Sequence, residues 1–140
     1  MTPTEQGLAE WHALATAPDP ERLGQLVAED AVFHSPVVHT PQQGRALVVA
    51  YLSAAAATLG RGEFRYVREV VDGENAVLEF TCTLDDIHVN GIDMITFDSG
   101  GKIKDFKVMI RPLKAVNKVW EVMAAQLGRD SSQPKVSARK

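Results

Sequence analysis

Residues 91–97 read Gly91-Ile92-Asp93-Met94-Ile95-Thr96-Phe97, a sequence typical of a buried strand with one carboxylate inside it. Alternate residues of a strand share a face, so Asp93 shares its face with Ile95 and Phe97. The opposite face carries Ile92 and Met94, which are also apolar. A carboxylate among apolar neighbours is costly unless it is hydrogen-bonded, paired or protonated. Asp93 is therefore the first candidate for a functional residue.

Two interpretations of Asp93 stay open at this stage. Desolvation in an apolar setting is expected to raise the pKa of its carboxyl, and carboxyls of this kind are over-represented in active sites. The alternative is a structural aspartate that caps a bulge or pairs with an arginine, since structural ion pairs perturb carboxyls too. If the partner were Arg111, the pKa of Asp93 would fall and the general-acid hypothesis would weaken.

The neighbourhood of this segment predicts an antiparallel sheet. Strand candidates lie at residues 64–71, 75–84, 87–97 and 102–111, and short turn-like sequences connect them. Strands joined in this way pair antiparallel. Within the third strand, Val89-Asn90-Gly91 suggests a kink or bulge.

Helical patterns precede and follow these strands. They predict helices at residues 4–16, 20–30, 47–59 and 113–127, and a short strand at 31–34 lies among them. Asp19 can cap the second helix, with Pro20 at its first position. The class is therefore α+β, and a strongly curved sheet closed by helices leaves a conical interior suited to a small molecule. Residues 1–127 are predicted to form one domain, and residues 128–140 a flexible polar tail.

Composition excludes several classes of function. The chain has 140 residues and a net charge of -3, which gives no support for nucleic-acid binding. A single cysteine, Cys82, excludes an intrachain disulfide and the cysteine-rich zinc patterns. The sequence shows no secretory signal and no apolar stretch long enough to cross a membrane, so a cytoplasmic location is the default expectation. We also predict no metal and no cofactor, because no phosphate loop, dinucleotide fingerprint or metal-ligand spacing is present.

Three segments together resemble the nuclear-transport-factor-2-like superfamily, and within it the SnoaL-like group, which includes polyketide cyclases. They are Leu26-Val27-Ala28-Glu29-Asp30-Ala31-Val32-Phe33-His34-Ser35-Pro36-Val37, then Gly44-Arg45 opening a helix, then residues 91–103. The resemblance covers about residues 4–127. It implies a cone-shaped, curved antiparallel sheet wrapped by N-terminal helices, and it implies a homodimer. It says less about function, because one scaffold hosts many chemistries.

Ketosteroid isomerase belongs to the same superfamily and offers a residue-by-residue comparison. Its oxyanion-binding tyrosine on the first helix corresponds to Trp11, and its general-base aspartate corresponds to Ser35. Its protonated second aspartate corresponds to Asp93. Trp11 can still donate through its indole nitrogen, but serine is a poor base without a partner. The resemblance therefore argues against steroid isomerisation by that mechanism, while Asp93 could act as acid or base as an aspartate does in the polyketide cyclases.

The remaining candidates are weaker. His34 and His39 flank the mouth of the predicted pocket, but His34 alternates with Ser35 and is expected on the surface or at an interface if Ser35 points inward. His39 could reach inward from its loop, although a solvated loop histidine explains it as well. Arg111 could pair with Asp93, clamp a ligand carboxylate, or satisfy groups at a strand end. The predicted ligand contacts are Trp11, Phe33, Tyr51, Phe64, Phe106, Met109 and Arg111.

The sequence supports two hypotheses about function. The first is a cofactor-independent isomerase, cyclase or hydratase that acts on an apolar carbonyl compound, with Asp93, Ser35 and His39 as catalytic residues. The second is a non-catalytic module on the same fold that binds a small molecule or a protein, which the serine at position 35 favours.

Overall fold

The computed structural model describes residues 1–129, which form helices and strands in mixed order. The elements are α1 (Pro3–Thr16), α2 (Pro20–Leu26), β1 (Val27–His34), β2 (Gln42–Gln43), α3 (Arg45–Leu59), β3 (Arg65–Asp72), β4 (Asn75–Leu84), β5 (Ile87–Phe97), β6 (Ile103–Arg111) and α4 (Leu113–Arg129). The prediction of a tail at residues 128–140 is not tested: α4 continues through Arg129, and residues 130–140 lie outside the described residues.

The described strands form one curved, unclosed sheet in the order β2-β1-β6-β5-β4-β3. Strands β3 to β6 are an antiparallel meander, as predicted from their short turns. Strand β1 pairs parallel with β6, so the sheet is mixed rather than wholly antiparallel. The parallel pair was missed because β1 comes before α3 in the chain, and no local turn reveals its partner. The α+β class is confirmed.

The ends of two helices differ from the prediction. Helix α1 begins one residue earlier than expected, because Thr2 caps it and forms a reciprocal capping box with Glu5. Helix α2 ends at Leu26 rather than near residue 30, and the chain enters β1 at once. The apolar run around Val27 fits either a helix or a strand when read alone. Pairing of Val27 with Ile103 in the sheet decides for the strand.

The bulge predicted at Val89-Asn90-Gly91 is absent from β5, whose pairing with β4 runs unbroken from Asn75↔Thr96 to Leu84↔Ile87. Gly91 is required for a different reason. The residue opposite it is Phe80, and a Cβ on Gly91 would lie 2.6 Å from the Phe80 ring and 2.6 Å from the carbonyl oxygen of Met109. Both distances are shorter than a carbon atom tolerates, so the glycine makes room for an aromatic ring.

A bulge does occur in β3. Tyr66 pairs with Phe80 and Arg68 with Glu79, so two steps along β3 match one step along β4. The additional residue, Val67, changes which residues of the strand face inward. Tyr66 before the bulge therefore shares the inner face of the sheet with Glu69 after it.

The inner face of the sheet carries the core. The largest fully buried side chains include Phe33, Phe80, Phe97, Phe106, Leu78 and Ile95. Helix α3 packs on β1 and on α4, and α4 also contacts β4, β5 and β6. Within residues 1–129, none of the helices has both the length and the apolar character that crossing a bilayer requires.

Replacing Gly91 with alanine is expected to destabilise the protein by about 1–3 kcal/mol, because the added methyl group overpacks the contact with Phe80. Urea unfolding of Gly91→Ala would measure the loss. Gly24→Ala is the matched control, since a Cβ on Gly24 meets no atom within 4 Å. Equal stability of the two variants would contradict the close approach of the Phe80 ring.

Candidate active site

A cavity of about 400 Å³ lies between the inner face of the sheet and the helices. Its size falls within the usual range of small-molecule sites, about 300–1,000 Å³. The wall is mostly apolar, and α3 contributes small side chains that leave space. Among its lining residues are Trp11, Leu14, Phe33, Ser35, Ser53, Ala56, Phe64, Tyr66, Asp93, Phe106, Val108, Ile110 and Met123.

Asp93 belongs to a hydrogen-bonded chain of three side chains in this wall. The hydroxyl of Tyr66 donates to Oδ2 of Asp93 over 2.5 Å. The indole Nε1–H of Trp11 donates to the same tyrosine oxygen over 2.9 Å. Oδ1 of Asp93 has no hydrogen-bond partner among residues 1–127, so it remains available to a ligand in the cavity.

The surroundings of Asp93 are apolar on both neighbouring strands. Leu78 pairs with it across β4, and Val108 pairs with it across β6. The residue is only 6% exposed. Burial raises the pKa of Asp93 to about 7, and the hydrogen bond from Tyr66 acts in the opposite direction. At neutral pH both protonation states of this carboxyl are therefore accessible, which is what an acid/base group requires.

Tyr66 is the site residue that the sequence analysis missed. The signal for it was present, because Phe64 had been assigned to the pocket and Tyr66 follows two residues later on the same strand face. Burial raises the pKa of the Tyr66 hydroxyl, and the neighbouring Asp93 raises it further. The hydroxyl thus keeps its proton and serves as a donor to the carboxyl.

Trp11 occupies a different role from the one expected. Its indole N–H donates to Tyr66 and is not free for a ligand. Its ring lines the cavity and packs edge-on against Phe106, with centroids 5.0 Å apart. Trp11 therefore shapes the wall and holds the tyrosine oxygen.

Ser35 lines the same cavity just beyond the end of β1. Its Oγ accepts hydrogen bonds from the backbone N–H groups of Val37 and Val38, at 3.1 Å and 3.3 Å. These bonds fix the turn after the strand. They also argue against Ser35 as a base, because its lone pairs are engaged.

The other predicted ligand contacts divide into two groups. Phe33, Phe64 and Phe106 line the cavity with Trp11. Tyr51 lies behind this wall, where it is buried and packs on Phe33 with ring centroids 5.4 Å apart. Met109 is on the outer face of the sheet and 46% exposed, because it alternates with the inward-facing Val108.

Arg111 and the histidines lie apart from Asp93. The guanidinium of Arg111 donates to Asn90 Oδ1 over 3.1 Å and does not pair with Asp93, so the structural ion pair considered for that carboxyl is not formed. His39 is exposed and does not line the cavity. His34 lies 2.9 Å from Asp105 of β6, outside the cavity wall. Alternation with Ser35 predicts that His34 points outward, and the cavity lining includes Ser35 but not His34. Arg111 and His39 were considered for the pocket, but the strand register and a loop turned outward keep them away from it.

In the described part of the chain, no group of three or more His, Cys, Asp or Glu side chains lies close enough together to hold a metal ion. The lining of the cavity likewise contains no lysine, arginine or histidine from the described residues. Asp93 is thus the group with acid/base potential deep in the wall, and Asp19 at the cavity edge is engaged in capping α2 through the N–H groups of Glu21 and Arg22.

Comparison with solved structures identifies relatives along nearly the whole chain. A steroid delta-isomerase from Pseudomonas aeruginosa is 35% identical, with a TM-score of 0.89 over 94% of this chain and 96% of that chain. An uncharacterized protein with a cystatin-like fold from Silicibacter pomeroyi DSS-3 is 32% identical, with a TM-score of 0.83 over 90% and 88%. A putative SnoaL-like polyketide cyclase from Jannaschia sp. CCS1 is 12% identical, with a TM-score of 0.64 over 83% and 92%, and this likeness shows the fold alone.

No protein with a curated description is similar enough to this chain to count as a match. The family model described as SnoaL-like domain matches residues 8–106, which include most of α1, all of β1 and α3, and the strands that carry Tyr66 and Asp93. The nuclear-transport-factor-2-like architecture expected from the sequence is confirmed by these relatives. With more than half of its length matched, the chain belongs to the SnoaL-like domain family.

Proposed function

We propose that the protein binds an apolar carbonyl compound and moves a proton on it, with Asp93 as the acid/base group. The observation that supports this most directly is a carboxyl 6% exposed, in an apolar cavity wall, with a pKa raised to about 7. A base of this strength is matched to neutral pH. The reaction class is isomerisation, cyclisation or hydration without a cofactor, and the apolar lining suits a largely hydrocarbon ligand.

The proton transfer follows from the position of the Asp93 oxygens. In the carboxylate form, Oδ1 removes a proton from the carbon next to the carbonyl group, and the C–H electron pair becomes the double bond of an enolate. Tyr66 keeps its bond to Oδ2 throughout and holds the carboxyl in place. Protonated Asp93 then returns the proton to the same carbon or to another one, which completes an exchange or an isomerisation.

Replacing Asp93 with asparagine keeps the shape of the side chain and removes the titratable group. With β-tetralone as the probe, we expect exchange of its α-protons in D2O to fall by about 10²-fold or more, as is typical when a general base is lost. Proton NMR follows the exchange, after subtraction of the rate in buffer. Asp86→Asn, at an exposed turn, is the matched control. A wild-type rate in Asp93→Asn would refute the acid/base role.

The name of the Pseudomonas relative suggests a second probe. A β,γ-unsaturated 3-oxosteroid becomes a conjugated enone when its double bond moves, and the ultraviolet absorbance reports the product. Because serine and tryptophan occupy positions 35 and 11, this shift cannot use the three-residue mechanism of ketosteroid isomerase, and Asp93 would have to be its base.

The alternative is a binding module without catalysis. It is favoured by the engaged lone pairs of Ser35, which leave the wall with one base instead of two. In that case β-tetralone would bind and raise the melting temperature, while its α-protons would exchange at the rate of buffer alone.

We further propose that the protein forms a homodimer through the outer face of the sheet. Met109 is 46% exposed there, and Val67 and Val70 of the edge strand β3 are 49% and 55% exposed. Apolar side chains grouped in this way are usually covered by a partner. Light scattering of wild type and Met109→Glu tests this, since a monomer in both samples would contradict the proposal.

A further inference from the structure

Ser35 is a polar group of the cavity wall that the proton transfer described above does not use. A serine oxygen has two lone pairs and one hydrogen. The N–H groups of Val37 and Val38 occupy the lone pairs, at 3.1 Å and 3.3 Å. Within residues 1–127, the hydroxyl hydrogen has no acceptor. Towards a ligand in the cavity, Ser35 can therefore donate a hydrogen bond, while its oxygen is not free to accept one.

The sheet register places this donor in the same row as Asp93. His34 pairs with Lys107 between the parallel strands β1 and β6, so the next residue, Ser35, continues beside Val108. Val108 in turn pairs with Asp93 between β6 and β5. The row thus runs from the residue that follows β1, across β6, to β5, and at twice the spacing of paired strands its outer members are about 10 Å apart.

The rest of the wall restricts what can lie between these two groups. All three residues of the row line the cavity, and Val108 forms an apolar floor between the serine and the aspartate. No cationic side chain from the described residues lines the cavity, so an anionic ligand would lack a counter-charge. The arrangement suits a neutral, largely apolar molecule that carries one acceptor oxygen.

Resting on proton transfer by Asp93, we propose that Ser35 donates a hydrogen bond to the carbonyl oxygen of the substrate, and that the acidic C–H then lies beside Asp93. When Asp93 takes the proton, the C–H electron pair forms the carbon–carbon double bond. The π pair of the carbonyl group moves to the oxygen that Ser35 holds. Ser35 stabilises this developing charge, and no further reactant is needed.

The test compares β-tetralone with tetralin, which has the same ring skeleton without the oxygen. Trp11 lines the cavity, so its fluorescence reports binding of both. We expect wild type to prefer β-tetralone, and Ser35→Ala to bind it about five- to tenfold more weakly, the value of one hydrogen bond. Tetralin should bind Ser35→Ala as it binds wild type. Ser35→Thr, which keeps the hydroxyl, should restore the preference.

Ser53 provides the matched control, because it is another serine that lines the same cavity, from α3. Ser53→Ala should change the binding of both ligands equally. Three results would each overturn the assignment of Ser35. The preference for β-tetralone over tetralin could be lost in Ser53→Ala instead, both ligands could bind Ser35→Ala equally more weakly, or wild type could show no preference.

The α-proton exchange rate separates this inference from the function on which it rests. If β-tetralone binds with the Ser35-dependent preference but does not exchange, the donor assignment stands and catalysis by Asp93 fails. If Asp93→Asn abolishes exchange while Ser35→Ala changes neither binding preference nor rate, catalysis stands and the donor assignment is overturned.

Discussion

The wild-type protein is expected to lose stability as the pH rises from about 4 to about 8, and the Asp93→Asn variant is expected to lack that loss. The pKa of Asp93 is about 7 in the folded protein, against an ordinary aspartate pKa of 3.8 in the unfolded chain. Between these values the folded state holds a proton that the unfolded state has released. The stabilisation is therefore complete below the unfolded pKa and is lost as the pH passes the folded one.

The size of this effect makes it measurable. A rise from 3.8 to about 7 corresponds to about 4 kcal/mol at 1.36 kcal/mol per pH unit. Urea unfolding of wild type and Asp93→Asn at a series of pH values would isolate the contribution, because all other groups are common to both proteins. Asp86→Asn serves as the control, since its exposed side chain should leave the pH profile unchanged. Parallel profiles of wild type and Asp93→Asn would mean that the carboxyl is charged throughout.

The Tyr66→Phe variant is expected to show the second largest effect, with two consequences that depend on pH. It removes the donor that lowers the pKa of Asp93, so that pKa should rise above about 7. It also removes a hydrogen bond to a carboxylate, which costs about 1.5–3 kcal/mol where Asp93 is charged and about 1 kcal/mol where it is neutral. The variant should therefore be more strongly destabilised at alkaline than at acidic pH.

A carboxyl-carbon NMR titration and urea unfolding at both ends of the pH range check these two consequences. Tyr51→Phe is the matched control, because it removes a hydroxyl from another buried ring that bonds to neither Asp93 nor Trp11. In a double-mutant cycle, the extra cost of Tyr66→Phe at alkaline pH should disappear once Asp93 is asparagine. A cost that is the same at every pH would show that Tyr66 stabilises the fold without acting on the carboxyl.

Local patterns in the sequence accounted for most of the secondary structure. The meander from β3 to β6 was predictable because each strand alternates and each turn is short. The parallel pairing of β1 with β6 was not, since residues on β1 and β6 are some seventy positions apart, as His34 and Asp105 illustrate with a separation of 71. No local property of a sequence specifies such a contact.

The candidate site was likewise predictable in part. Asp93 stood out because a carboxylate among apolar strand residues is costly to bury unless it is hydrogen-bonded, paired or protonated. In the structure the residue is 6% exposed. Its partner Tyr66 was missed, although strand alternation from Phe64 placed it on the same face. Arg111 was considered as the partner because its charge suggested a pair, but the register puts it opposite Asn90. Charge complementarity read from sequence cannot replace knowledge of which strands are neighbours.

The bulge at Val67 makes the site sensitive to the length of β3 as well as to its composition. Because of the additional residue, Tyr66 and Glu69 both face α1, where Trp11 bonds to the tyrosine and His12 lies 2.7 Å from the glutamate. In a regular strand these two residues would point to opposite faces. A substitution at Val67 alters one exposed side chain, whereas a one-residue deletion there would break one of the two polar contacts between α1 and β3. The geometry of the candidate site is therefore more sensitive to a one-residue insertion or deletion in β3 than to a replacement of the exposed Val67 side chain.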